Sequence, residues 1–391
     1  MNVDTARTAA HPAVRLLWVS ESPTALTGYG TVTRELLTRF ARLPGFEVAA
    51  VASNYSGWPY DRKWIPFDLY PSSSFGRDTL EKAILHFRPN VVAGFGDPWM
   101  IEHLADFRLP PSCKLVLYFP LDGEPFPSPW RRLMETADAA VCCSHFGAEQ
   151  VRAACPAANV AMIYHGVDRK VFRPLGPKAE AKKRQRLDGR FVVGCVARNQ
   201  PRKNLPALLQ AFSVFAARHD DTMLYLHTNP HDVGWDLIEL TRRYGIGERT
   251  CFSRHATIAH GLDGHTLNEI YNLFDIMVLP SFGEGFGLPL LEAMAAGTPC
   301  VTTDFSAAAE LVRGRGELIA VRTRLIVGRN IEQAVADVDD MVACMDRLYD
   351  DAQLRERHRR AGLAFARELD WKNIVPQWHQ LLASLAESRG A

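Results

Sequence analysis

The chain has 391 residues, 47% of them apolar, and a formal net charge of +1, which gives room for two domains with a core each and excludes a strongly polyanion-binding composition. Its longest apolar runs, such as 91–95 and 276–280, fall far short of the ~20 residues of a spanning helix, so no helical membrane span is expected. The start, "MNVDTARTAAHP", lacks the apolar centre of a secretion signal, and the expected compartment is the cytoplasm.

Taken in order, "VRLLWVS" from Val14 reads as a buried strand, and "TVTRELLTRFARL" (31–43) has Leu36, Leu37, Phe40 and Leu43 on one side of a helix. The runs "EVAAVAS", "VVAGFG", "KLVLYF", "AAVCCS" and "VAMIYHG" follow, most separated by helix-compatible stretches such as "DTLEKAILHF" and "GAEQVRAAC". Uninterrupted apolar strands between amphipathic helices imply a parallel sheet covered on both faces. Pro174, Gly176 and Pro177 then break the pattern before a basic helix. A second series begins with "FVVGCVA" and continues through "TMLYLHT", "TCFSR", "IMVLPS" and "PCVTT". The fold class is therefore α/β, with two doubly wound parallel sheets facing a cleft. The domains are expected at 1–172 and 173–372, with a helix over about 373–391 that packs back on the first and is kinked at Pro376.

The eight cysteines form no C-x-x-C pair and lie mostly in apolar runs, as reduced core thiols do. The spacing of His227 and His231 contains Pro230 and follows a strand, so no metal site is expected. Residues 1–186 carry 23 Lys/Arg against 18 Asp/Glu, a small surplus that suits an anionic partner or an ordinary solvated surface.

The most informative stretch is "LPSFGEGFGLPLLEAMAAGTPCV" (279–301). A strand ends, a glycine turn follows, and a helix starts with Pro289 near its first position and Gly297 near its end. The open N–H groups of such a helix start make a phosphate seat. Glu284 at the turn and Glu292 in the helix would repel an anion, so they suit the hydroxyls on either side of a diphosphate. That describes a nucleotide sugar. Taken alone, the turn also allows Glu292 to be a helix-dipole partner and Glu284 a solvated loop residue.

The same stretch closely resembles the E-x7-E signature of the retaining GT-B glycosyltransferases of family 4, also called glycosyl transferases group 1. The resemblance covers roughly 14–385 and is strongest over 190–312. It implies that Glu292 binds the ribose, and that Glu284, with Gly285, Phe286, Gly287 and Leu288, holds donor sugar and phosphate. "VARNQPRKN" is similar to the family's arginine–lysine element, which makes Arg198 and Lys203 the cations that neutralise the leaving diphosphate, a task that preorganised cations can perform in place of a metal. Gly28, Tyr29 and Gly30 stand at the first-strand glycine loop, although the family usually has adjacent glycines there. Arg254 falls where the family places base contacts. Asp122, in "PLDGEP", stands near the family's histidine position and is similar to a subgroup with a P-x-D-G element; it either touches sugar or acceptor, or caps the turn.

The implied reaction is retaining transfer of a sugar from a UDP- or GDP-linked donor to an acceptor hydroxyl, without metal or cofactor. The acceptor is open among glycan, lipid, protein, nucleic acid and small metabolite, and peripheral membrane contact is compatible with arginine-bearing helices such as 31–43. Rival readings are a sugar-nucleotide epimerase or phosphorylase on this fold, and a non-catalytic nucleotide-sugar or nucleic-acid-binding protein.

Overall fold

The computed structural model describes residues 14–253 and 262–387. The first sheet is built from β1 (Val14–Glu21), β2 (Phe46–Ser53), β3 (Asp68–Ser72), β4 (Val91–Phe95), β5 (Lys114–Phe119), β6 (Ala139–Cys142) and β7 (Val160–Met162). Its strand order is β3-β2-β1-β4-β5-β6-β7, with every pairing parallel. Leu16, Leu17, Trp18 and Val19 of β1 are all buried, as a strand covered on both faces requires.

The second sheet is built from β8 (Phe191–Val196), β9 (Thr222–His227), β10 (Thr250–Phe252), β11 (Ile276–Leu279), β12 (Cys300–Thr303) and β13 (Gly316–Ile319). It is also parallel, in the order β10-β9-β8-β11-β12-β13. In each sheet the order reverses once, between β1 and β4 and between β8 and β11. Loops leaving the carboxyl ends of such strand pairs part to opposite faces and open a crevice, which is where ligands of doubly wound sheets bind.

Beyond β13 the chain forms an antiparallel hairpin, β14 (Val321–Val327) and β15 (Ile331–Ala336), that the sequence reading did not anticipate. It spans the lobes. Glu124 N donates to Glu332 O at 3.1 Å and Glu332 N to Glu124 O at 2.6 Å, while Ala334 N donates to Phe282 O at 2.8 Å. Arg324 adds an ion pair to Glu124 at 2.9 Å. A second link is Glu310, whose two carboxylate oxygens accept from His145 N and Phe146 N, each at 3.0 Å. These amides open the helix His145–Ala154, so a carboxylate of one lobe caps a helix dipole of the other.

The final helix, Trp371–Glu387, runs on through Pro376. Pro376 and Lys372, four residues before it, are both exposed, so water can replace the missing bond. Trp378 is fully buried, 4.7 Å from the Tyr118 ring and 6.1 Å from that of Trp18, which seats this helix on the first lobe. All eight cysteines are free, and all but Cys251 are buried.

Candidate active site

After β8 the chain makes a short 3-10 turn, Pro201–Lys203, and Asn204 in the left-handed region (φ 49°) starts the next helix. The turn directs two adjacent cations to one place. Lys203 Nζ lies 2.5 Å from Glu284 Oε1, and Arg202 Nη1 lies 3.1 Å from Glu284 Oε2. Ser281 Oγ also donates to Oε1, at 2.5 Å. Glu284 is only 4% exposed. Burial alone would raise its pKa, but Arg202 and Lys203 outweigh that and bring it down to about 2. For Lys203 burial wins over the attraction of Glu284 and lowers the pKa.

Arg202 is the residue the sequence reading missed. The dipeptide Arg202-Lys203 was visible, but spacing alone does not say that a 3-10 turn aims both side chains at one carboxylate. Arg202 also reaches the first lobe, its Nε 3.4 Å from Asp122 Oδ2. Burial raises the Asp122 pKa and Arg202 opposes the rise. Arg198, by contrast, lies exposed beyond β8 in a two-point pair with Asp232, Nε–Oδ2 2.8 Å and Nη2–Oδ1 3.2 Å.

The turn after β11 carries Gly285, Phe286 and Gly287, and the helix Leu288–Ala295 follows with Gly287 as its cap at φ 102°. Phe286 is buried in the lobe interface, 4.6 Å from the His165 ring. His165 itself is bonded to Tyr118 at 2.5 Å, and burial lowers its pKa to about 3, so it is neutral and structural. Glu292 is placed differently from Glu284. Its Oε2 accepts from Tyr271 OH at 2.8 Å, and no cation pairs with it among the described residues. Burial pushes its pKa up to about 7, with only the Tyr271 bond opposing.

Across the cleft, the helix Gly28–Phe40 starts from Thr27, whose hydroxyl accepts from Gly30 N at 3.0 Å. A Cβ at Gly30 would stand 2.4 Å from Ala25 O, so this start admits no side chain there. A Cβ at Gly28 would stand 3.5 Å from Leu288 Cδ1, which places the two helix starts against one another. Tyr29 is fixed: its hydroxyl donates to Asp97 Oδ1 at 2.6 Å and its ring lies edge-on to Phe95 at 5.2 Å.

Of the other polar residues near strand ends, Asn199 is spent on the backbone of Pro230 and Trp235. His227 Nδ1 and Thr228 Oγ1 are buried without a hydrogen-bond partner among the described residues. Arg254 lies outside the described residues.

Two helix starts thus face one another across the lobes, and in the second lobe Glu284 lies between Lys203 and Arg202 while Glu292 stands in the helix that follows. Residues 190–351 match the family model described as Glycosyl transferases group 1. Two curated proteins illustrate the likeness. The lipopolysaccharide core biosynthesis mannosyltransferase LpsB of Rhizobium meliloti is 34% identical over 190 residues, 47% of this chain and 50% of that protein. The GDP-mannose-dependent alpha-(1-6)-phosphatidylinositol monomannoside mannosyltransferase of Mycobacterium tuberculosis (strain H37Rv) is 28% identical over 274 residues, 66% of this chain and 63% of that one. The chain spans about half the length of the curated relatives it matches. The whole fold is shared with sucrose-phosphate synthase from Thermosynechococcus elongatus, at a TM-score of 0.75 and 17% identity over 96% of this chain and 100% of that one. Both lobes are Rossmann-like and their pairing is the GT-B arrangement.

Proposed function

We propose that the protein transfers a sugar, with retention, from a nucleoside-diphosphate donor to an acceptor hydroxyl, and that the donor is GDP-linked mannose. The likeness to a GDP-mannose-dependent mannosyltransferase and to the mannosyltransferase LpsB supports this choice of donor. The observation that carries the reading is the buried Glu284 carboxylate held between Lys203 and Arg202.

In this reading the amides of Gly28 and Tyr29 and those of Gly287 and Leu288 hold the diphosphate. Lys203 and Arg202 stabilise the charge that grows as the nucleotide leaves, and Arg198 joins them by sharing its outer donors with a phosphate oxygen. Glu284 fixes the cations and accepts from donor-sugar hydroxyls, and Glu292 accepts from the ribose. Asp122 meets the transferred sugar at its first-lobe side. The leaving phosphate oxygen takes the acceptor proton on the same face of the sugar, so no protein nucleophile, resident metal or cofactor is assigned. A thermal-shift screen with GDP-, UDP-, ADP- and dTDP-linked sugars tests the donor, and the anomeric configuration of the NMR-characterised product tests retention. A GDP-mannose-inert protein that is stabilised by another nucleotide sugar corrects the donor; one stabilised by none overturns the reading.

Glu292 gives a pH signature. Its folded-state pKa lies above its ordinary value of 4.5, at about 7, so the folded protein binds the extra proton between those values, and this group's contribution to stability falls as pH rises from 4.5 to 7. Ribose binding requires the ionised form. GDP affinity is therefore expected to rise with pH up to about 7, by as much as roughly tenfold per unit below it. Glu292→Gln removes this component. Calorimetric titration of both proteins from pH 5.5 to 8 separates it from titration of the phosphate, and parallel profiles count against the assignment.

A further inference from the structure

A cavity of about 250 Å³ lies beside the cleft, walled by Asp97, Trp99, Asp122 and Trp130 of the first lobe and by Arg329 and Gln333 of the hairpin. It is smaller than the roughly 300–1,000 Å³ of sites for drug-sized ligands, which leaves space for about one ring. We infer that this cavity seats a neutral, polyhydroxylated acceptor, a sugar or polyol ring, and that the β14–β15 hairpin of the second lobe completes its wall. The inference rests on the transferase reading above for the word acceptor, and on the following chemistry for the ligand class.

Two carboxylates line the cavity, and both are already oriented. Asp97 accepts from Tyr29 OH at Oδ1 (2.6 Å) and from Trp99 Nε1 at Oδ2 (3.3 Å), and Asp122 faces Arg202. Each retains lone pairs that alcohols can fill. Against Arg329, the two carboxylates leave one more negative than positive charge among the lining residues, which disfavours a phosphate or carboxylate ligand. Their polarity and the small volume also exclude an acyl chain.

Trp99 is a large apolar side chain left 43% exposed, and its ring is braced edge-on by Phe75 at 5.5 Å. A fixed indole face beside two acceptors suits the C–H face and hydroxyl edge of a sugar ring. The opposite wall comes from the hairpin. The Arg329 guanidinium lies over the Trp130 ring at 5.1 Å, and a Cβ at Gly123 would stand 2.3 Å from Ile331 Cγ2, so the hairpin is seated tightly on the first lobe. Asp122 joins this cavity to the Glu284 cluster through Arg202, which brings the bound ring beside the donor.

Saturation-transfer NMR on the full chain tests this, with methyl α-mannopyranoside, methyl β-glucopyranoside and myo-inositol as probes, each with and without GDP. At least one probe is expected to bind. Trp99→Ala should weaken it by about tenfold, the scale of one lost stacking contact, with GDP affinity within about twofold of the starting protein. Arg329→Ala should weaken it severalfold, and Trp58→Ala, at an exposed tryptophan that does not line the cavity, should leave it unchanged. No binding by any probe, or equal binding by the Trp99→Ala protein, overturns the inference. Because the sugar arms run without nucleotide as well, failure to bind GDP or any other nucleotide counts against the transferase reading alone.

Discussion

Glu284→Gln is expected to lower turnover by about 10²–10³-fold, the range for removal of one preorganised charge-stabilising group. It should also destabilise the fold by about 3–5 kcal/mol, because Lys203 is left buried with its carboxylate partner gone. The two effects can be separated. Combining Glu284→Gln with Lys203→Met removes one buried cation along with the carboxylate, and Arg202 keeps Asp122 as a partner. The double variant is expected to recover most of the lost stability and none of the lost turnover. Thermal unfolding alongside steady-state rates with the donor found by the screen checks both. Wild-type turnover in the Glu284→Gln protein would remove this residue from the chemistry, and parallel recovery of stability and turnover would make its role structural.

The second large effect comes from a contact between lobes. A Cβ at Gly283 would stand 1.8 Å from the carbonyl oxygen of Asp122, a clash of backbone with side chain that no rotamer relieves. Gly283→Ala should therefore separate the two loops. A misplacement near 1 Å costs roughly 10² in rate, so kcat is expected to fall by about that factor. Nucleoside diphosphate binding should weaken less than kcat falls, because Glu292 and the amides after Gly287 belong to the second lobe and only the contacts of the first-lobe helix start are lost. A normal kcat in Gly283→Ala would mean that the lobes need not meet here during turnover. Loss of nucleotide binding together with kcat would point to damage within the second lobe.

Much of the architecture was legible because it depends on short-range pattern. Strands such as "VRLLWVSE" and "FVVGCV" are apolar on both faces, and only a sheet covered by helices can bury both, so the alternation along the chain already implied two parallel sheets. The hairpin was not legible. "VRTRLIV" is half-exposed and bears two arginines, and the hairpin it opens is held by Phe282, through Ala334, and by Glu124, some 200 positions from Arg324 in the chain. Pro376 gave the opposite lesson: a residue that breaks an isolated helix is carried through when the orphaned carbonyl stays near water and Trp378 anchors the segment.

By itself the sequence determined which residues could supply the chemistry: a glycine turn at a strand end, two glutamates eight apart, and cations after the preceding strand. These follow from backbone geometry and residue type, which act over a few positions. Tertiary structure decided how the two glutamates differ. Glu284 meets Arg202 and Lys203 and is held ionised, while Glu292 accepts from Tyr271 and burial pushes its pKa up to about 7. That difference arises from the charges and burial surrounding each carboxylate, and those come from strands brought together at the point where the sheet order reverses.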